Sequence, residues 1–350
     1  MPEPSRVWAF FLGIFLRKVT ENKSYRGMAV KSKKLVVSGM CFVFVLAFVL
    51  LQSQKNREKK YILKVASNTW LGYEPFHLAE YLGFYKESDI RLVRLSSATQ
   101  VIRSYRNNQV DAVMLTLDEA LKLQEMIDDF QIVMVTDISN GADAVIADKS
   151  IKTLADLKGK VIGLEKTALG AYILERTLEI AQLEHKDVTV RHLEVYQHYD
   201  SFVNGDLDAV ITFEPSKNKI LQRRGHVLLD SIDLENEILD VVVVRKKVIK
   251  EHPDLLRSFL AGWSNSLKMI ERKDQKSQAY LQMTLSLNEA GLLKAYKGLK
   301  LISIEKNMQI LTVDIVKILK RTQKILLAEK FLNQQKDLSE LINTNMIKNL

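Results

Sequence analysis

Carboxylates, aromatic rings and hydroxyls that could hold a small molecule recur in this 350-residue chain at one kind of place, the polar end of a short apolar segment. V-D-A-V-M-L-T (110–116) runs into Asp118 and Glu119, and L-D-A-V-I-T-F (207–213) runs into Glu214. Tyr61–Ala66 leads to Asn68-Thr69-Trp70-Leu71-Gly72-Tyr73, and Val161–Leu164 leads to Lys166-Thr167-Ala168-Leu169-Gly170. Asp143 and Asp240 stand beside two further apolar runs. Trp70 offers a broad stacking face with an N–H at its rim, and Tyr73 is a second aromatic beside it. Thr116 adds a hydroxyl to its tip. Thr167 and Gly170, placed before a helix, leave backbone N–H groups free for a carbonyl or anion. Each acid alone reads equally well as a helix cap or a solvated charge, Trp70 as a cap over a core, and Thr167 as a plain N-cap. Together they describe an acidic cleft. No arginine, the usual bidentate partner of anionic groups, is offered at a tip. The expected ligand is therefore neutral or cationic, an amine or a nitrogen heterocycle stacked on Trp70.

Catalytic signatures are missing. The six histidines (His77, His185, His192, His198, His226, His252) show no metal-ligand spacing, and no phosphate-loop, dinucleotide or nucleophile-elbow motif occurs. The single cysteine, Cys41, lies in an apolar run, so residues 61–350 offer no thiol nucleophile, disulfide or cysteine-metal site. The expectation is a binding protein without enzymatic activity, cofactor or metal. Net charge is +9, but residues 1–60 carry 12 Lys+Arg against 3 acids, leaving 39 of each sign in the rest. A neutral body argues against a nucleic-acid partner.

The elements that must position these tips alternate between short apolar strands and helical patterns, which implies α/β lobes with parallel sheets and ligands beyond the carboxyl ends of the strands. The phrase V-D-A-V-M recurs as L-D-A-V-I, which implies two lobes whose strand ends face one cleft. Asp111 and Asp208, at the strand starts, read as structural. The segment Val241–Val244 returns the chain to the first lobe, and everything from Pro253 onward is helical, with a polar tail after Lys336 that reads as prone to fray. The expected organisation is lobe 1 from 61–145 plus 240–350 and lobe 2 from 146–239.

Ahead of the lobes, 1–34 reads as a basic cytoplasmic N-terminus, 35–52 as a transmembrane anchor or signal peptide, and 53–60 as a linker. Leu35–Leu51 would span roughly 26 Å as a helix, slightly short of a ~30 Å bilayer core. Eight basic residues precede it and four follow, which orients the N-terminus to the cytoplasm. No small-residue cleavage pair closes the run, which favours an anchor. Met28, followed by A-V-K-S-K-K, is an alternative start to Met1.

The order and spacing of W-L-G-Y-E-P-F-H-L-A-E-Y-L-G-F-Y (70–85), V-D-A-V-M-L-T-L-D-E (110–119), S-N-G-A-D-A-V (139–145), L-A-D-L-K-G-K-V-I-G-L-E-K-T-A-L-G-A-Y (154–172), G-D-L-D-A-V-I-T-F-E-P (205–215) and L-D-V-V-V-V-R (239–245) resemble the nitrate/sulfonate/taurine-type substrate-binding proteins of ABC transporters. That family includes binding proteins for thiamine-pyrimidine precursors. The resemblance implies a two-lobed type II periplasmic-binding fold that closes by hinge motion on a small molecule. The implied partners are an ABC permease and ATPase, and the implied location is periplasmic or extracytoplasmic, membrane-anchored or secreted. The implied pocket positions are Trp70, Thr116, Asp118, Asp143, Thr167, Gly170, Glu214 and Asp240. Many relatives carry Gly-Ser-Thr where this chain has Glu165-Lys166-Thr167, which speaks against an anion-specific site. A membrane-tethered sensor is the alternative role, and an enzyme on the same fold a more distant one.

Overall fold

A computed structural model describes residues 61–85, 89–234, 237–328, 330–348 and 350. The expected cytoplasmic N-terminus, membrane segment and linker lie outside the described residues. Among the described residues, no helix is long and apolar enough to cross a membrane.

In chain order the strands are β1 (Leu63–Ser67), β2 (Ile90–Arg94), β3 (Ala112–Thr116) and β4 (Phe130–Ser139), then β5 (Asp143–Ala147), β6 (Val161–Leu164), β7 (Thr189–His192), β8 (Ala209–Phe213) and β9 (His226–Asp230), and finally β10 (Leu239–Arg245) and β11 (Leu299–Leu301). They form two sheets, ordered β11-β4-β10-β3-β1-β2 and β7-β6-β8-β5-β9. The expected parallel cores are present: β1 lies between parallel β2 and β3, and β6 between parallel β7 and β8.

Neither sheet is purely parallel. β10 runs antiparallel between β3 and β4, and β5 runs antiparallel between β8 and β9. These are the strands that begin where the chain crosses between sheets. The parallel strands finish at the crossing side, so a strand that starts there must run against them. This reversal sets Asp240 opposite Thr116 and Asp143 opposite Phe213 in register. Each sheet thus presents the end of one strand and the start of another at the same edge.

The doubled phrase has a structural explanation. Asp111 accepts from Lys64 N (2.9 Å) and its own N–H donates to Lys64 O (2.8 Å). Asp208 makes the same pair of bonds with Val161, at 2.8 and 2.9 Å. Each aspartate pins the register of its strand against the neighbouring parallel strand.

Val241–Val244 are fully buried, as expected of a central strand covered on both faces. Helix Pro253–Glu271 packs on helix Glu74–Tyr81, with Phe259 stacked on Phe76 at 4.3 Å. A Cβ on Gly262 would sit 2.3 Å from the Tyr85 ring, so only glycine lets these elements approach so closely. The second sheet has a small core on each face, for example Ile162, Leu174 and Leu178 on one and Phe202, Val210 and Ile220 on the other. The helical stretch expected from Pro253 onward is interrupted near its end: a π-helical turn, Ile310–Asp314, separates Ile304–Gln309 from Ile315–Ala328. The tail expected to fray is docked instead. Ile132 donates to Leu341 O and accepts from Asn343 N, with Leu341, Met346 and Ile347 buried.

Candidate functional site

The strand ends of both sheets line one cavity. Asn68, Trp70, Tyr73, Thr116, Glu119 and Asp240 come from the first lobe, and Asp143, Glu165, Thr167, Leu169, Gly170 and Ile173 from the second. His198, Ile211, Thr212 and Phe213 complete the second-lobe wall. Space open to water centres is about 30 Å³, roughly two waters, so a larger ligand requires the lobes to part.

Seven of the nine residues expected from sequence line this cavity: Trp70, Tyr73, Thr116, Asp143, Thr167, Gly170 and Asp240. Asp118 and Glu214 do not. Asp118 is buried one residue before Glu119 on helix Leu117–Gln124, where the helical turn directs Glu119, rather than Asp118, to the cavity. Glu214 folds back on the helix it precedes, accepting from Asn218 N at 3.1 Å.

Trp70 is held by its N–H, which donates to both oxygens of Asp137 at 3.2 and 3.4 Å. Gly72 makes this possible, because a Cβ there would lie 2.1 Å from Asp137 Oδ2 and 2.4 Å from Trp70 Nε1. Phe213, from the other lobe, meets Trp70 edge-on with centroids 5.5 Å apart. Tyr73 donates to Asp240 Oδ1. Thr167 accepts from Gly170 N at 3.1 Å, the expected N-cap of helix Ala168–Ala181. A Cβ on Gly170 would lie 2.3 Å from the Glu165 carbonyl, so the glycine lets the helix start close over Glu165.

Buried acids dominate the electrostatics. Burial pushes Asp143 up to about 6. It pushes Asp118, Asp137 and Glu165 up to about 7. Glu119 and Asp240 are raised well above the usual carboxylate range, by burial first and then by neighbouring acids: Asp118 and Glu165 for Glu119, Asp137 for Asp240. No Lys or Arg is among the lining residues. Arg94, which ends β2, is salt-bridged to buried Glu74 at 2.9 Å. Lys217 donates to Gly141 O.

Buried polar atoms of the lining without a geometric hydrogen-bond partner among the described residues include Asp143 Oδ2 and His198 Nε2, whereas the Asp240 carboxyl shares a hydrogen bond with Asp137. His198 is kept neutral, its pKa lowered to about 4 by burial. Its Nδ1 lies 3.1 Å from Thr212 Oγ1, and the Leu193 carbonyl favours protonation of the ring. Asp143 Oδ2 is left as an open acceptor in the lining.

Sequence reasoning gave His198 no site role beyond its lack of metal-ligand spacing and did not assign Glu165 to the wall. The signal for Glu165 was its position directly after strand β6. For His198 no signal distinguished one face of its short helix from another.

A family model described as NMT1/THI5 like matches residues 71–276, more than half of the chain. The putative aliphatic sulfonates-binding protein of Escherichia coli K12 is 27% identical over 145 residues, 41% of this chain and 45% of that protein. The taurine-binding periplasmic protein of the same organism is 28% identical over 121 residues, 34% of this chain and 38% of that protein. The match thus spans less than half the length of either relative. The crystal structure of the periplasmic aliphatic sulphonate binding protein SsuA from Escherichia coli superposes with a TM-score of 0.68 at 18% identity, covering 82% of this chain and 99% of that one. The desulfurization enzyme DSZB shares the fold too, with a TM-score of 0.63 at 15% identity over 83% of this chain and 98% of that one. At these identities the structural likeness speaks to the fold alone. The two-lobed α/β architecture and the family match together show that this chain belongs to the NMT1/THI5-like family.

Proposed function

We propose that this protein is an extracytoplasmic solute-binding protein that captures a small N–H-rich organic molecule, a cationic amine or nitrogen heterocycle, and delivers it to an ABC importer. The observation that carries the ligand class is a buried acceptor without a donor, Asp143 Oδ2, in a cavity walled by the carboxyl groups of Glu119, Glu165 and Asp240 and lined without Lys or Arg. A buried acceptor left without a donor costs about 1–3 kcal/mol, and a ligand bearing N–H groups recovers that energy. A sulfonate, the group named in one relative's description, would bring acceptor oxygens and a negative charge beside Asp143 instead of the donors its open oxygen lacks. Trp70 and Phe213 supply the apolar walls, one from each lobe, and a cation over an aromatic face gains about 0.5–2 kcal/mol.

Capture by hinge closure is supported by the two crossings, 140–142 and 231–238, which alone carry the chain between sheets in the described residues. Ser139 and Ser231 meet at 2.7 Å where the two crossings begin, which ties those ends together. The permease, the ATPase and anchoring through 35–52 belong to this proposal. Small molecules released from the purified full chain, identified by mass spectrometry and returned in a thermal-shift panel, test it. Amines or nitrogen heterocycles should raise the melting temperature. A response confined to sulfonates or nitrate overturns the ligand class.

A further inference from the structure

We propose that Glu165 is a built-in stand-in for an anionic ligand group: seated from the second lobe on the N-terminus of a first-lobe helix, it latches the cleft shut and keeps anions out. Glu165 follows β6 and is only 6% exposed. Its Oε1 accepts from Ala98 N at 3.1 Å. Ala98 opens helix Ala98–Arg106, and the Thr99 N–H also favours the charged form of Glu165. Ser97, the N-cap, spends its hydroxyl on Gln100 N at 3.4 Å. The first-turn N–H groups at Ala98 and Thr99 are thus left to the carboxylate of the opposite lobe.

Backbone N–H groups at a helix start and the positive end of the helix dipole make a seat for negative charge. Here the seat is filled, and the occupant is covalently part of the other lobe. Opening the cleft must break this contact and re-expose both partners. An incoming sulfonate or carboxylate would have to displace Glu165 into a wall that already holds Glu119, whose ionisation Glu165 opposes. Glu194, on the adjoining turn, opposes ionisation of Glu165 in the same way. The nearby acids leave Glu165 no better position than the helix start. Gly170 fixes the loop that aims it, since a Cβ there would collide with the Glu165 carbonyl.

The inference rests on the cleft being the binding site, and its test reads lobe separation and anion binding without the natural ligand. Spin labels at Arg106→Cys and Gln197→Cys, in a Cys41→Ser background of the full chain, report the distance between lobes. With Glu165 in place the free protein should show one short, narrow distance population, unaffected by ethanesulfonate. Glu165→Ala should lengthen and broaden it. Glu165→Gln, whose amide oxygen can still accept from Ala98 N, should remain close to the parent. Ethanesulfonate should bind the alanine variant about tenfold or more tighter than the parent, a gain of ~1.4 kcal/mol or more, and shorten its distances again. An unchanged distance distribution in Glu165→Ala overturns the latch. Failure of ethanesulfonate to bind that variant overturns the exclusion of anions. Either result leaves the amine-panel outcome unaffected, so the two proposals fail separately.

Discussion

Two buried carboxylates at the margin between the lobes are treated in opposite ways. Glu237, on the second crossing, is met by three donors: Tyr172 OH at 2.6 Å, Arg176 Nε at 3.1 Å, and Arg321 from the first lobe's C-terminal helix. Asp240, three residues later, receives one hydrogen bond from Tyr73, lies against a second acid, Asp137, and has no Lys or Arg beside it among the lining residues. The chain therefore has the means to neutralise a buried acid at this margin, and it does so outside the cleft. Inside the cleft it leaves Asp143 Oδ2 open and sets Asp240 against another acid. The contrast separates a carboxylate that ties elements together from one that waits for a ligand.

The largest effect should come from exchanging charge for amide at both places. Asp240→Asn keeps the oxygen that Tyr73 needs and makes permanent the hydrogen bond to Asp137 that the acid donates only when protonated. We expect stability to rise by about 1 kcal/mol while affinity for the released ligand falls about 30- to 100-fold. Glu237→Gln should do the reverse. It takes the Glu237 charge from Arg321 and leaves Arg176 only Glu179, at a cost of about 2 kcal/mol, below the usual penalty for a broken buried pair because Arg176 keeps that partner and Arg321 is 56% exposed. Its affinity should change little. Urea unfolding and calorimetric titration of both variants check this. Loss of stability in Asp240→Asn, or of affinity in Glu237→Gln, would erase the distinction.

A pH series sharpens the same contrast. Burial raises Asp143 to about 6 and Asp118, Asp137 and Glu165 to about 7, against about 4 in an unfolded chain. The folded state then binds more protons than the unfolded one between pH 4 and 7. Its stability is greatest at the low end of that window and declines as pH rises through 6 to 7. We expect the ligand-free protein to lose about 2 kcal/mol or more between pH 5 and 8. A cationic ligand should return that stability, so the ligand-induced rise in melting temperature should grow over the same range. A ligand-free protein that gains stability from pH 5 to 8 would show that the cleft acids are paired like Glu237.

Much of this was legible in the sequence, for physical reasons that can be named. Apolar runs bounded by polar turns located β1, β3, β5, β6, β8 and β10, because burial on both faces leaves little choice of residue in V-D-A-V-M or L-D-V-V-V-V. The three-residue β11 carries no such run, and it forms only because β4 offers an edge. The antiparallel sense of β5 and β10 depends on which end of a sheet the chain enters, a long-range property that periodicity does not record. At the cavity, strand-end position found Trp70, Thr116, Asp143 and Asp240. It could not choose between Asp118 and Glu119, which differ by about 100° around a helix. Nor could it see that Glu165, also at a strand end, reaches Ala98, 67 residues earlier and in the other lobe.

Glu214 gives the smallest and most exacting test. It ends the second copy of the doubled phrase, as Thr116 ends the first, and sequence position made it a candidate to accept a ligand's hydrogen bonds. Its carboxylate instead accepts from Asn218 N at the start of helix Ser216–Arg223. Glu214→Ala should lose this cap and about 1 kcal/mol of stability, whereas Glu214→Gln keeps an acceptor and most of that stability. On affinity, two effects oppose each other. Removing the charge weakens the field attracting a cation, but Glu214 also hinders ionisation of Asp143, and its removal leaves Asp143 more readily charged. We expect both variants to bind within about twofold of the parent, ~0.4 kcal/mol. A tenfold loss in Glu214→Gln would move Glu214 from the helix to the ligand and make the two phrase ends functional equivalents.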